Sequence, residues 1–239
     1  MIPSFINRII YRSRHYLVKQ NWRYRWLAQP DGTIHSRLNR RAIHKPALEY
    51  MMPMLQLCQK DSGQYLMLGL GGGALLHALE NKFDDIHIDV IEINPEIINI
   101  AKQFFYVDTL HSSTIIENDA NTYVSQCDKT YDAILIDLYQ DNEYPNHCAT
   151  STFFQNCQRL MTPQGVVIIN CANMAQYPQL LNQLRLVFNN NVLTIRIQHP
   201  RNVILACSNQ SIQLLINQLP LKKLGWHADT GVVGNMGNA

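Results

Sequence analysis

The chain of 239 residues is predicted to be an α/β protein. Its expected core is a doubly wound, mostly parallel sheet that ends in an antiparallel hairpin and follows a small N-terminal β-element. Three observations predict this. From residue 65 onward short apolar runs alternate with amphipathic stretches, and regular βα alternation implies parallel strands covered on both faces. A glycine-rich stretch, Gly69-Leu70-Gly71-Gly72-Gly73, joins the first of these strands to the first of these helices. Near the C-terminal end, "NVLTIRIQ" and "VILACS" are separated only by "HPRN". So short a link forces antiparallel pairing, because a parallel crossover needs about a dozen residues or more.

The elements follow in order. The opening "MIPSFINRIIYRSRHYLVKQ" places Phe5, Ile6, Ile9 and Ile10 at helix-like spacing among arginines. Next, "RYRWLAQ" and "TIHS" flank "PDG" and predict a β-hairpin. "HKPALEYMMPMLQLC" has helical spacing, with Pro46 suited to a first turn and Pro53 expected to kink or break it. Strands are then expected at about 65–70, 87–92, 113–117, 131–137 and 165–171, and helices near 73–82, 95–106, 120–127, 150–161 and 176–188. Five parallel strands and a terminal hairpin outline the class I methyltransferase-type, Rossmann-like sheet. The expected organisation is a basic N-terminal element with the hairpin over 1–45, a Rossmann-like domain over 46–224, and a flexible tail rich in Gly and Asn over 225–239.

Composition narrows the class. With 46% hydrophobic and 16% charged residues, the chain has the make-up of a soluble globular protein. No run of 18 apolar residues occurs, so no transmembrane helix is expected. The six cysteines form no CxxC pair and read as reduced, mostly buried thiols of a cytoplasmic protein. No zinc-ligand spacing, periodic repeat or phosphate-binding Gly-Lys-Ser/Thr stretch appears. The net charge of +2 hides an asymmetry: residues 1–45 hold ten Lys/Arg and a single acid, Asp31, leaving ten bases and seventeen acids in the rest. Such a segment suits a membrane-surface or nucleic-acid arm, a transit peptide, or an accessory element packed on the acidic main domain. The last reading is preferred because Tyr, Trp and Leu continue through it. No membrane or nucleic-acid partner is expected.

Four features carry the chemistry. The glycine loop lets a ligand approach the backbone and a helix N-terminus. "HIDVIEINPEII" ends a strand at Glu92, 23 residues after Gly69, where an acid can accept both hydroxyls of a ribose. A dinucleotide or an S-adenosyl sulfonium would satisfy both. In "IIENDANTYV", Asp119 is either a helix N-cap or the acceptor of an adenine amino group, with the Ala120 amide pairing a ring nitrogen. In "YDAILIDLYQDNEYP", Asp137 ends the fourth strand at the sheet edge where ligands of this architecture bind, and can take a proton from an amine. Asp141 and Glu143 follow it and read as solvated loop acids.

The chain resembles the spermidine synthase (polyamine aminopropyltransferase) family, in particular its short bacterial spermidine synthase-like branch. The resemblance runs from about Arg23 to Cys171, on "PDGTIHSRLN", "ALEYMMPM", "LMLGLGGGALL", "VIEINPEII", "NDANTYV", "YDAILIDLYQ" and "TPQGVVIIN". It implies a β-element beside a Rossmann-like domain, a cleft between them, and a homodimer. It implies that Gly69, Gly71 and Gly73 line the tail of an adenosyl donor, that Glu92 binds the ribose, and that Asp119 and Ala120 bind the adenine. Asp137 then matches the acid that deprotonates the attacking amine, Tyr50 the tyrosine of the acceptor pocket, and His35 and Asp141 further acceptor-site positions.

Departures accompany the match. Gly72 stands where the family loop GGGDGG has its aspartate, Met51 where a glutamine or histidine follows the pocket tyrosine, and Gln140 where a second acid follows Asp137, unless Asp141 substitutes for it from one residue later. His35 takes the place of a glutamine. An acid in the loop favours the ammonium tail of decarboxylated S-adenosylmethionine and repels the carboxylate of S-adenosylmethionine itself. The function implied is aminopropyl transfer from the decarboxylated donor to a diamine such as putrescine, with the donor as co-substrate and no metal. The alternatives are methyl transfer from S-adenosylmethionine to an unknown nucleophile, and a non-catalytic adenosyl-binding or scaffold protein.

Overall fold

The computed structural model describes residues 7–58, 62–140, 143–197, 202–218 and 227–229. The N-terminal part is a four-stranded antiparallel meander, β1 (Arg8–Arg12), β2 (Leu17–Gln20), β3 (Tyr24–Ala28) and β4 (Ile34–Asn39), in the order β1-β2-β3-β4. The expected hairpin is β3–β4. The helix-like spacing at the start does not give a helix: Ile9 and Ile10 lie in β1, which pairs with β2 from Arg8 opposite Gln20 to Arg12 opposite Leu17. β-Branched residues suit that extended, paired backbone. Phe5 and Ile6 lie outside the described residues.

A short helix, α1 (Met51–Leu57), follows. The helical spacing from His44 therefore yields a shorter helix than expected, and residues 41–50 run in turns and bends. Pro53 neither kinks nor breaks α1. It is the third helical residue, where its missing N–H has no intrahelical partner to lose.

The main sheet is built from β5 (Ser62–Leu68), β6 (Asp85–Glu92), β7 (Ser113–Glu117), β8 (Tyr131–Ile136), β9 (Met161–Cys171), β10 (Val192–Arg196), β11 (Val203–Ser208) and the short β12 (His227–Asp229). Its order is β12-β10-β11-β9-β8-β5-β6-β7. The pairs among β7, β6, β5, β8 and β9 are parallel, and those from β9 through β11 and β10 to β12 are antiparallel. Of the expected tail 225–239, the described residues are those of β12, which pair with β10.

Helices α2 (Ala74–Lys82), α3 (Pro95–Phe105), α4 (Ala120–Gln126), α5 (Ser151–Arg159), α6 (Tyr177–Val187) and α7 (Ile212–Gln218) cover the sheet. The period of two along each strand divides the core. Tyr65 and Met67 of β5 join one apolar cluster with α1, α2 and α3, whereas Leu66 and Leu68 join the other with α4, α5 and α6. Tyr16, Val18, Leu27 and Leu38 of the meander are buried in the first cluster. The N-terminal sheet thus packs on the main sheet's helix layer, while Tyr16 accepts a hydrogen bond from Asn94 and Tyr11 donates one to Glu96 at the start of α3. All six cysteines are free, and five are buried. Among the described residues no helix is long and apolar enough to cross a membrane.

Candidate active site

Strand order reverses between β5 and β8, and ligands of open α/β sheets bind outside the strand ends at such a point. A cleft of about 1250 Å³ lies there, bordered by the ends of β5, β6 and β8 and roofed by the meander through His35, Ser36 and Arg37.

The glycine loop leaves β5 at Gly69. Its φ is +95°, and a Cβ there would meet the Asp137 carbonyl oxygen at 2.4 Å, so only glycine lets the two strand ends lie side by side. Gly69 and Gly71 border the cleft. Gly73, expected to do the same, is not among the residues lining it. A Cβ at Gly73 would sit 2.4 Å from Val107, and its φ of +69° makes it the cap of α2, so its glycine serves packing. Gly72 is likewise outside the lining. A Cβ there would meet Ser36 Oγ at 2.9 Å and the Phe105 ring at 3.0 Å. The volume of a side chain at this loop position is occupied by a serine of the meander and a phenylalanine of α3.

Glu92 ends β6 and is buried at the cleft floor. Its Oε2 accepts from the Leu70 amide at 3.0 Å and its Oε1 from the Asn94 amide at 3.0 Å. Burial pushes its carboxyl above the usual range, and the N–H groups of Leu70, Asn94, Gly71 and Ile93 only partly offset this. The carboxylate therefore ties the glycine loop to the loop that starts α3, beyond any ligand it holds.

Asp119 meets the cap reading and also borders the cleft. It caps α4, with Oδ1 accepting from the Thr122 amide at 2.9 Å, and it borders the cleft together with Ala120. Its Oδ2 is 2.8 Å from His147 Nε2. Burial works to raise its carboxyl, but the Thr122 amide and His147 prevail and hold it below the usual range.

Asp137 directly follows β8. Its Oδ2 accepts from the Tyr50 hydroxyl at 2.9 Å and its Oδ1 from Asn170 Nδ2 at 2.8 Å, while Asn202 Nδ2 donates to Asn170 Oδ1 at 2.7 Å. Burial raises the Asp137 carboxyl above its ordinary value, and the Asn170 and Tyr50 bonds only moderate that. The Tyr50 hydroxyl, buried beside this carboxylate, is pushed well up and stays protonated as the donor. A carboxylate held between two donors, with its ionised form made costly by burial, is suited to accept a proton from a bound amine.

His35 lies in the cleft wall between the rings of Tyr16 and Tyr139, each 5.8 Å away. Met51 is buried and also borders the cleft. Gln140 and the exposed Glu143 pair through their backbones, and Asp141 lies outside the described residues. Sequence reasoning missed His147, Tyr139, Asn170 and Asn202. His15 and His147 border the cleft as well as His35. A signal for Asn170 was present: it is the polar residue closing the apolar run "GVVII". Among the described residues no group of three His, Cys, Asp or Glu side chains is arranged to hold a metal ion.

A family model described as the spermine/spermidine synthase domain matches residues 46–195. The chain belongs to that family. Within the spermine/spermidine synthase family, it is 32% identical over 108 residues to a polyamine aminopropyltransferase of Vibrio vulnificus, covering 44% of this chain and 36% of the relative. It is 28% identical over 160 residues to that of Chromobacterium violaceum, covering 66% and 61%. The chain thus spans well under two thirds of the length of these relatives. A probable spermidine synthase from Corynebacterium glutamicum superposes with a TM-score of 0.75 at 16% identity, covering 94% of this chain and 90% of that one. At that identity the likeness shows the fold alone. Human methyltransferase-like protein 13, solved in complex with SAH, superposes with a TM-score of 0.61 at 25% identity, covering 77% and 96%.

Proposed function

We propose that the protein is an S-adenosyl-dependent transferase that moves an aminopropyl group from decarboxylated S-adenosylmethionine to a small diamine such as putrescine. The observation that carries this reading is the Asp137 carboxylate. Tyr50 and Asn170 fix it at the end of β8, in the same cleft as Glu92, Asp119 and the glycine loop. Relatives named polyamine aminopropyltransferase support it, as does the shared fold with a spermidine synthase solved with the transition-state analogue AdoDATO.

In this reading Glu92 holds the ribose, Asp119 and the Ala120 amide hold the adenine, and Gly69 and Gly71 leave room for the tail. The acceptor enters beside Asp137, next to Tyr50, His35 and Tyr139, and the family resemblance adds Asp141 to the acceptor-binding residues. Asp137 takes a proton from the acceptor ammonium. The freed lone pair attacks the carbon bonded to sulfur, the new C–N bond forms as the C–S bond breaks, and the electron pair leaves on sulfur as a neutral thioether, methylthioadenosine. The sulfonium is already a good leaving group, so alignment, exclusion of water and a neutral amine are what the protein supplies. No metal is required. In this reading the N-terminal meander completes the cleft through His35, Ser36 and Arg37. The cytoplasmic setting draws on the six free thiols, and the homodimer on the family resemblance.

One observation favours a second reading, methyl transfer from S-adenosylmethionine. The loop offers no acid at Gly72 to select a decarboxylated tail, and the human neighbour at 25% identity was solved with SAH. Calorimetry with decarboxylated S-adenosylmethionine, S-adenosylmethionine and methylthioadenosine, followed by turnover with putrescine, decides between them. Aminopropyl transfer predicts binding of the decarboxylated donor and formation of methylthioadenosine. Strong preference for the carboxylated donor replaces it with methyl transfer, and no binding of any adenosyl compound removes both.

A further inference from the structure

We propose that His147 is a positioning residue of the adenosyl end, fixing the Asp119 carboxylate in the orientation it presents to the cleft so that the bound base must bring a hydrogen-bond donor. The proposal rests on the adenosyl reading above.

The geometry asks for an explanation beyond helix capping. A cap needs one carboxylate oxygen, and Oδ1 supplies it to the Thr122 amide. The other oxygen is engaged separately by His147 Nε2 at 2.8 Å, from the 3-10 turn Asn146–Cys148 that packs on α4 and α5. His147 and Asp119 both border the cleft, with half of one side chain and a quarter of the other exposed. Among the described residues, the other groups set directly against Asp119 are neutral. The neighbouring Cys148 thiol is pushed up to about 12 by burial and by Asp119 itself, and α4 offers the Thr122 amide. Glu92 borders the same cleft from β6 and is engaged by its own amides. An ionised carboxylate is an acceptor only, with about four lone-pair sites, so two bonds leave room for an amino group. A base with an oxo group at that position would set acceptor against acceptor.

The sign of the pH effect follows from the depressed Asp119 carboxyl. Binding that needs the ionised form is present at neutral pH and is lost as pH falls through its pKa. Removing His147 removes one cause of the depression, so the loss then occurs at higher pH.

The test is calorimetry of methylthioadenosine and its deaminated, 6-oxo counterpart across pH, on the native chain, His147→Ala and His147→Gln. The Ala variant is expected to bind methylthioadenosine about tenfold more weakly, the scale of one charge-assisted hydrogen bond. Its acid limb should move up towards the ordinary carboxylate range, and its preference for the amino over the oxo ligand should narrow. Gln, which keeps a hydrogen-bond donor but carries no charge, should restore the affinity and amino preference and only part of the limb. An Ala variant with native affinity, limb and preference overturns the proposal while leaving the adenosyl reading intact. Failure of the native chain to bind either ligand removes the adenosyl reading itself, and a native chain blind to the amino group overturns the role of Asp119 and His147 together.

Discussion

The two ends of the cleft are built in different ways. At the proposed adenosyl end the carboxylates are bound into the backbone: Glu92 accepts amides from two loops, and Asp119 caps a helix. At the proposed acceptor end the carboxylate is held, among the described residues, by side chains. Tyr50 precedes α1, Asp137 follows β8, Asn170 lies in β9 and Asn202 directly precedes β11, so four segments up to 152 positions apart meet in one chain of hydrogen bonds. The first end is a property of strand–turn–helix units, and the second is a property of the assembled sheet. Substitutions should therefore separate chemistry from binding at the acceptor end and mix binding with loop order at the adenosyl end.

The largest expected effect tests the acceptor end. Asp137→Asn keeps the shape and loses the proton acceptor, so turnover should fall by on the order of 10²–10⁴-fold while donor affinity stays within about threefold of native. Single-turnover kinetics with calorimetry on the same sample checks both. An Asn variant with native turnover would remove Asp137 as the base.

The adenosyl end should respond less cleanly. Glu92→Ala deletes the proposed ribose acceptor and also frees the amides of Leu70 and Asn94, so affinity should drop by on the order of 100-fold, with a loss of thermal stability. Glu92→Gln keeps one acceptor oxygen and the side-chain volume, and should lose less of both. If Ala weakens binding without touching Tm, the loop does not depend on this carboxylate and the contrast between the two ends disappears.

That contrast also explains what could be read from residues alone. The parallel strands, the terminal hairpin, Glu92 and Asp119 were legible because each is signalled locally, by period, spacing or cap. The Asn170–Asn202 link was not, because nothing in "HPRN" says that its last residue returns beside β9. His147 was hidden for the same reason, its partner lying 28 positions earlier. Gly72 was legible as a departure, but its consequence was not. The loop sequence shows a missing acid, and only the packing of Ser36 and Phe105 shows that the space has been filled.

The pH profile gives a third, smaller effect. Asp137 has a raised carboxyl, so activity that needs its ionised form should be present at neutral pH and lost, as pH falls, at a higher pH than an ordinary aspartate would require. Asn170 works against that rise through its bond to Oδ1. Asn170→Ala should therefore move the acid limb of kcat upward, with about a tenfold loss at neutral pH at most. A limb that stays put, or moves down, would mean that Asn170 does not hold the ionised carboxylate.

The smallest effect concerns the loop glycine and decides how donor choice is written into this chain. If Gly72 were simply a vacated aspartate position, Gly72→Asp would restore selection for an ammonium tail at little structural cost. The geometry predicts otherwise. Even Gly72→Ala places a Cβ at 2.9 Å from Ser36 Oγ and 3.0 Å from the Phe105 ring. The hydroxyl can turn aside, but the ring is locked in the core and must shift, a strain of about 1–3 kcal/mol. Gly72→Ala should lower Tm accordingly and leave the affinity ratio of the two donors unchanged. Pairing it with Ser36→Ala should recover only part of the loss, because Phe105 remains. A Gly72→Asp variant that is as stable as native and prefers the decarboxylated donor more strongly would show that the site is open after all, and that the loop alone sets donor choice.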